Sequence, residues 1–197
     1  MGVPYLSGRG WSNWTRDERF FCAVLYGLAQ PHPSDFARLI IQESAIDLDT
    51  GGDWDLGYEV AFYRDYLWPT SQTARQRKYP AKRTFDLCLF GNASMIVIEA
   101  KVFERFTRHQ NDEFASDAQL VNGIPGLEGI KVRTVALASS KYFTNAAIHA
   151  KPEALEVFDG AVSWATLAGS FDDNRLLQRA DALYKMRKVD LLAGDPV

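Results

Sequence analysis

Cysteine and histidine are scarce in this 197-residue chain, with two of the first and three of the second. Cys22 and Cys88 stand far apart in apolar runs, without the spacing of metal ligands. That argues against a zinc site or a disulfide framework and predicts two reduced core thiols in a cytoplasmic protein. No apolar run reaches the length of a membrane span, and Met1-Gly-Val-Pro-Tyr-Leu-Ser has neither the basic start nor the apolar stretch of a signal peptide. An excess of basic charge is missing too. Lys and Arg number 22 against 25 Asp and Glu, a net charge of -3, which argues against indiscriminate coating of nucleic acid but leaves local basic patches open. Repeats, linkers and disordered tracts are lacking, and 47% hydrophobic with 24% charged residues predicts one globular domain, 1–197, with a real core.

What is present centres on Arg83-Thr-Phe-Asp86-Leu-Cys-Leu-Phe-Gly91-Asn-Ala-Ser-Met95-Ile-Val-Ile-Glu99-Ala-Lys101. Two runs rich in Ile, Val, Leu, Phe and Thr, Thr84 to Phe90 and Met95 to Lys101, flank a Gly91-Asn92 turn and predict a β-hairpin. Alternation puts Val97, Glu99 and Lys101 on one face of the second strand and Asp86 with Cys88 on one face of the first. Pairing them gathers two carboxylates and an ammonium at the end of an apolar sheet. Mg2+ takes oxygen ligands, commonly one or two carboxylates with waters and phosphate completing the shell. Asp86 and Glu99 are the candidate carboxylates and the Ala100 carbonyl a candidate third oxygen, with Lys101 placed to orient a water and to balance charge on a phosphate under attack. The plainer alternative is an edge strand whose Glu99 and Lys101 form a solvated ion pair while Asp86 caps a turn. Flanking runs this apolar favour a central hairpin, where a charge needs a partner or a role.

These residues resemble the PD-(D/E)xK nuclease superfamily, also called restriction-endonuclease-like. Its signature is an Asp on one strand and a (D/E)-x-K on the next, matched here by Asp86 and Glu99-Ala100-Lys101, with Phe85 in place of the name-giving Pro. The resemblance implies Asp86 and Glu99 as metal ligands and Lys101 as the catalytic lysine. It also implies Glu18, on the first helix, as an auxiliary acid, although Thr15 and Glu18 equally suit a capping box. Gln119 matches the glutamine that supports the site from the helix after the lysine strand, with Gln110 its rival; a bare Gln on a helix is otherwise a surface residue. His109 reads as solvent-facing rather than as a general base.

The remaining elements are read from periodicity and punctuation. Thr15 to Leu28 predicts a first helix ended by Pro31 and Pro33, and Ser34 to about Ser44 a second. The acidic run Asp47, Asp49, Asp53, Asp55 lacks the ligand positions of an EF-hand and reads as a solvated turn. Gly57 to Tyr63 reads as a strand whose Glu59 points either to the hairpin site or to solvent. A long loop follows, Tyr66 to Arg83, in which Arg75, Arg77, Lys78, Lys82 and Arg83 cluster near Tyr79 and Trp68. It is either a phosphate-backbone contact placed just ahead of Asp86 or simply a polar loop. Glu104 to about Val121 predicts a helix, Gly129 to Ala138 a strand, Lys141 to Lys151 a loop, Pro152-Glu153 a short helical turn, Gly160 to Trp164 a strand, and Ser170 to Lys188 a closing helix.

This order predicts an α/β domain with a mixed central sheet flanked by helices, and it matches the αβββαβ core of the resembled superfamily over roughly Thr15 to Leu167. The expectation is therefore a Mg2+-dependent nuclease, with Mn2+ able to substitute, hydrolysing phosphodiester bonds of nucleic acid, DNA before RNA. Sequence specificity would come from the Arg75–Arg83 loop, a homodimer or a partner protein. The alternatives are a nucleic-acid-binding or assembly module of the same fold that does not cut, and an enzyme acting on a small phosphate ester.

Overall fold

A computed structural model describes residues 10–67, 79–80, 82–106, 116–145 and 155–185. Its organising unit is the expected hairpin: β2 (Phe85–Gly91) and β3 (Ser94–Ala100) pair antiparallel, with Leu87 opposite Ile98 and Phe90 opposite Met95. β1 (Trp54–Val60) lies antiparallel on the outer side of β2. β4 (Lys131–Ala138) and β5 (Gly160–Ser163) continue beyond β3 in parallel, giving one five-stranded mixed sheet in the order β1-β2-β3-β4-β5. Both hairpin strands are thus internal. This excludes the edge-strand reading of Glu99 and Lys101.

Residue parity divides the core. Leu87, Leu89, Ile96, Ile98, Ala100, Val135 and Leu137 face a helical layer made by α1 (Glu18–Ala29), α2 (Pro33–Ser44) and two later helices. Cys88, Met95, Val97 and Val132 pack on the other face against α3 (Phe62–Leu67) and α4, the helical residues 116–122. A third cluster joins Phe106, Ala136, Ala138, Tyr142 and Tyr184. With α5 (Ser140–Phe143), α6 (Trp164–Ser170) and α7 (Arg175–Ala182), these make a single α/β domain with helices on both faces of the sheet.

Several expected boundaries move, each for a local reason. The first helix begins at Glu18, because the Asp17 carboxylate, not Thr15, accepts the Arg19 amide at 3.0 Å, while Thr15 Oγ1 accepts the Asp17 amide. β1 starts at Trp54 and ends at Val60, so Phe62 and Tyr63, expected in that strand, open α3. The break follows Glu59, whose φ of 50° is left-handed and which the Cα pairing of β1 with β2 skips. Residues 102–104 are bends and 105–106 irregular chain rather than the start of a helix, and 107–115, which include His109 and Gln110, lie outside the described residues. Trp164, expected in the last strand, instead begins α6, whose N-terminus is capped by Ser163 through the Thr166 amide at 3.0 Å. The expected loop after β4 opens with α5, and the closing helix begins at Arg175 under an Asn174 cap rather than at Ser170. The short turn at Pro152-Glu153 falls outside the described residues. Among the described residues, no helix is long and apolar enough to cross a membrane.

Candidate active site

The register of the hairpin fixes the two carboxylates. One step beyond the Cα pair Leu87 with Ile98 come Asp86 and Glu99, two acidic residues at the same end of the two central strands. Like charges opposite one another destabilise a sheet, and burial multiplies the cost. Glu99 is 5% exposed. A cation must sit between these groups or protons must stay on them.

Lys101 supplies that cation. It follows the last residue of β3 and still extends the ladder, its amide donating to Leu137 O at 2.7 Å. Its side chain is 6% exposed, and Nζ donates to Glu99 Oε1 at 2.9 Å, Glu18 Oε1 at 3.1 Å and the Ala100 carbonyl at 2.7 Å. An ammonium has three N–H donors, so these oxygens use all of them. The Ala100 amide donates to Asp86 Oδ2 at 2.8 Å, tying the first strand's carboxylate to the residue between Glu99 and Lys101. Behind the cluster, the buried Trp164 indole donates to the Lys101 carbonyl at 3.1 Å and holds the chain as it leaves the sheet.

The electrostatics follow from this packing. Burial, reinforced by Asp86, pushes the Glu99 carboxyl up to about 7 against the pull of Lys101. Burial likewise raises Glu18 to about 7, with Lys101 opposing and Asp86 adding to the rise. Asp86 is raised by burial, partly offset by the Ala100 amide and Lys101. Burial alone would lower the Lys101 ammonium, but Glu99 and Glu18 outweigh it and raise it above its ordinary value. Raised acids and a lysine held in its charged form therefore share one buried cluster.

The carboxylates of Glu18, Asp86 and Glu99 and the Ala100 carbonyl are all hard oxygen donors, the type a cation such as Mg2+ takes. Among the described residues, however, no three or more His, Cys, Asp or Glu side chains are arranged in a group that could hold a metal ion. In this arrangement Lys101 Nζ takes Glu99 Oε1 and Ala100 O, the same oxygens a metal ion would use.

The other expected residues have different fates. Glu18, left open between capping and the site, turns to Lys101 because Asp17 does the capping. Glu59 reaches Arg19 at 3.4 Å. Gln119 is exposed on α4, and the hydrogen bonds of Asp86, Glu99 and Lys101 run to Ala100, Glu18 and one another instead. The buried polar residue of that helix is Asp117, 1% exposed, which accepts from Arg83 Nη2 at 3.0 Å and from the Tyr63 hydroxyl at 2.6 Å. Arg83, expected to meet nucleic acid, is therefore turned inward, its side chain 9% exposed, while Lys82 is exposed. Arg75, Arg77 and Lys78 lie outside the described residues. Sequence reasoning missed Asp117 and Trp164. Their partners lie 34 and 63 residues away, so no local pattern marks them.

Among the described residues, a cleft of about 320 Å3 opens beside His32, Phe36 and Phe171, and two more lie near and far from this chemistry. One of about 490 Å3, largely apolar, lies at the turn end of the hairpin between Phe62, Tyr66, Phe90, Met95 and Leu127. That end is roughly 15 Å along the strand from Glu99. The other, about 270 Å3, is lined by Arg16, Glu18, Phe103 and Glu104 and shares Glu18 with the cluster. This second cleft adjoins the chemistry through Glu18.

No protein-family model matches the chain, and comparison with curated proteins and with solved structures finds no match.

Proposed function

We propose that this protein is a divalent-cation-dependent nuclease that hydrolyses phosphodiester bonds of nucleic acid, DNA before RNA, on a restriction-endonuclease-like core. The observation that carries the reading is the joint placement of Asp86, Glu99 and Lys101. Two acidic residues lie at the same end of the central hairpin, one step past the pair Leu87 with Ile98, and the ammonium two positions after the second is held at 2.9 Å from its carboxylate. Buried acids of this kind are unfavourable for stability alone and are common where a site binds cations. The order of elements supports the fold: two helices, three antiparallel strands β1-β2-β3 with the short α3 between the first two, then α4 leading to a strand parallel to β3.

Asp86, Glu99 and the Ala100 carbonyl would hold the cation, Mg2+ with Mn2+ able to replace it, with Glu18 in support. Once bound, it supplies a water of lowered pKa and neutralises phosphoryl charge. Lys101 Nζ, released from Glu99 or from Ala100 O, gains an N–H to orient an attacking water or to steady a phosphate oxygen. Glu18 keeps the ammonium aimed, and Trp164 fixes the backbone from which Lys101 projects. The apolar rows of Ile96, Ile98 and Leu137 on one face and Val97 on the other keep bulk water from entering through the sheet. Two buried reduced cysteines suit a reducing compartment, and we assign the protein to the cytoplasm.

A second reading has its own support. Lys101 already has three oxygen partners, so the cluster is also a self-satisfied polar network of the kind a non-cutting, nucleic-acid-binding module would retain. Cleavage of labelled DNA in Mg2+ against EDTA separates the two readings. Metal-dependent cutting supports the nuclease, whereas salt-sensitive binding without cutting supports the module.

A further inference from the structure

The cleft beside Glu18 is built from two chain segments that leave the site in opposite directions. Trp14 to Asp17 leads into α1, where the Thr15 and Asp17 turn leaves Arg16 exposed. Val102 to Arg105 leads out of β3. Val102 is fully buried and Phe106 is 5% exposed, so both ends of this strap are anchored in the core. Phe103 between them is half-buried and is assigned to none of the three hydrophobic clusters. An aromatic ring held at a cleft wall instead of in the core has apolar area to offer a ligand. The Arg16 guanidinium stands over that ring, 4.6 Å from its centroid. Guanidinium planes and aromatic faces are the two surfaces on which unpaired bases stack, and arginine also pairs with phosphate.

We propose that this cleft seats one unstacked nucleotide of single-stranded nucleic acid beside the Asp86, Glu99 and Lys101 cluster, its base against Phe103 and its phosphate against Arg16. The inference rests on the nuclease reading for its chemistry and narrows it, making the substrate a single strand or a frayed end in preference to intact duplex. Size supports this. A cleft of about 270 Å3 is smaller than the usual small-molecule pocket and suits one nucleotide, whereas the bases of a duplex are stacked and show no face to it. Charge adds a condition. Glu18 and Glu104 share the cleft with Arg16, so an anionic strand meets two carboxylates and one guanidinium, and its binding depends on a divalent cation.

The test is fluorescence anisotropy with a labelled DNA oligonucleotide, single-stranded or in blunt duplex, in Ca2+ or EDTA, alongside steady-state cleavage in Mg2+. Wild type, Phe103→Ala, Phe103→Tyr and Arg16→Ala are compared, with thermal melts to verify folding. The expected result is cation-dependent binding that prefers the single strand by about tenfold or more. Phe103→Ala weakens it by about 5- to 100-fold and Phe103→Tyr retains it. Arg16→Ala weakens binding and flattens its dependence on log salt by about 0.7. In cleavage, Phe103→Ala raises KM and spares kcat. Equal affinity for duplex and single strand, or unchanged binding and KM in Phe103→Ala and Arg16→Ala, overturns the inference. If DNA is cut through Glu99 and Lys101 while these variants behave as wild type, the cleft assignment falls and the nuclease stands. If single strands bind through Phe103 and are never cut, the cleft stands and the nuclease falls.

Discussion

Glu18 Oε1 lies 3.1 Å from Lys101 Nζ, a contact spanning 83 residues of sequence that brings the first helix onto the end of the central hairpin. The contact exists because Asp17 caps α1 and leaves Glu18, the first residue of the helix, to turn toward the site. A helix N-terminus also favours a carboxylate there.

Glu18→Gln should therefore separate activity from stability. The Glu18 side chain is 28% exposed and takes no part in the cap, so near pH 5, where its carboxyl is protonated, the melting temperature should change little. Metal-dependent cleavage should fall about 10- to 100-fold, as when a group that orients a catalytic side chain is lost. A drop in melting temperature that matches the loss of activity would instead make Glu18 a structural residue.

The fold's stability should decline with pH in the absence of metal. Glu18 and Glu99 have folded pKa values near 7, above their ordinary 4.5, so between those values the folded state holds more protons than the unfolded. Their contribution is complete below about 4.5 and is lost as pH rises through about 7. Melting in EDTA from pH 5 to pH 8 should show the fall, on the order of 2 kcal/mol for Glu99. Glu99→Gln, which cannot ionise, should make it shallower. A wild-type profile flat over that range would contradict the burial of these acids.

Arg83 and Asp117 form an ion pair with side chains 9% and 1% exposed, and Tyr63 adds a hydrogen bond to the same carboxylate. Asp117→Ala removes the buried carboxylate that Arg83 and Tyr63 both donate to and should cost about 3–5 kcal/mol. Replacing both partners, Arg83→Met with Asp117→Leu, should cost less than the single change, because the buried charge is removed together with its carboxylate. Urea midpoints of the three proteins check this.

Glu59 occupies a left-handed conformation, φ 50°, where a side chain is disfavoured. Its ion pair to Arg19, whose side chain is 73% exposed, stabilises little. Glu59→Gly should leave thermal stability unchanged or raise it by up to about 1 kcal/mol, whereas Tyr58→Gly in regular β1 should lower it. Equal losses at the two positions would contradict the conformation.

How far the sequence could be read depended on whether each signal was local. The hairpin was legible because alternation, β-branched residues and Gly91-Asn92 all agreed, and its two strands lie within a residue of the expected bounds. Asp86, Glu99, Ala100 and Lys101 come together because they sit on that hairpin. Thr15 imitates a capping box, so Glu18 could not be assigned until Asp17 was seen to cap. The aromatic run Phe62-Tyr63 fits a strand or a helix equally, and only the kink at Glu59 decides. α6 did carry a readable signal: Ser163 as cap followed by Trp164, Leu167 and Ala168 at helical spacing. Asp117, Trp164 and the inward turn of Arg83 depend on partners distant in sequence, and no periodicity encodes them.

The most direct measurement is cleavage of labelled linear and circular DNA, single- and double-stranded, with RNA alongside, in Mg2+, Mn2+ and EDTA, by wild type, Glu99→Ala and Lys101→Ala. The account predicts cutting by the wild type in either metal, none in EDTA, and loss of at least about 100-fold in each variant, with circular dichroism showing them folded. Wild-type protein that cuts nothing, or Glu99→Ala and Lys101→Ala proteins that cut as well as wild type, would contradict it.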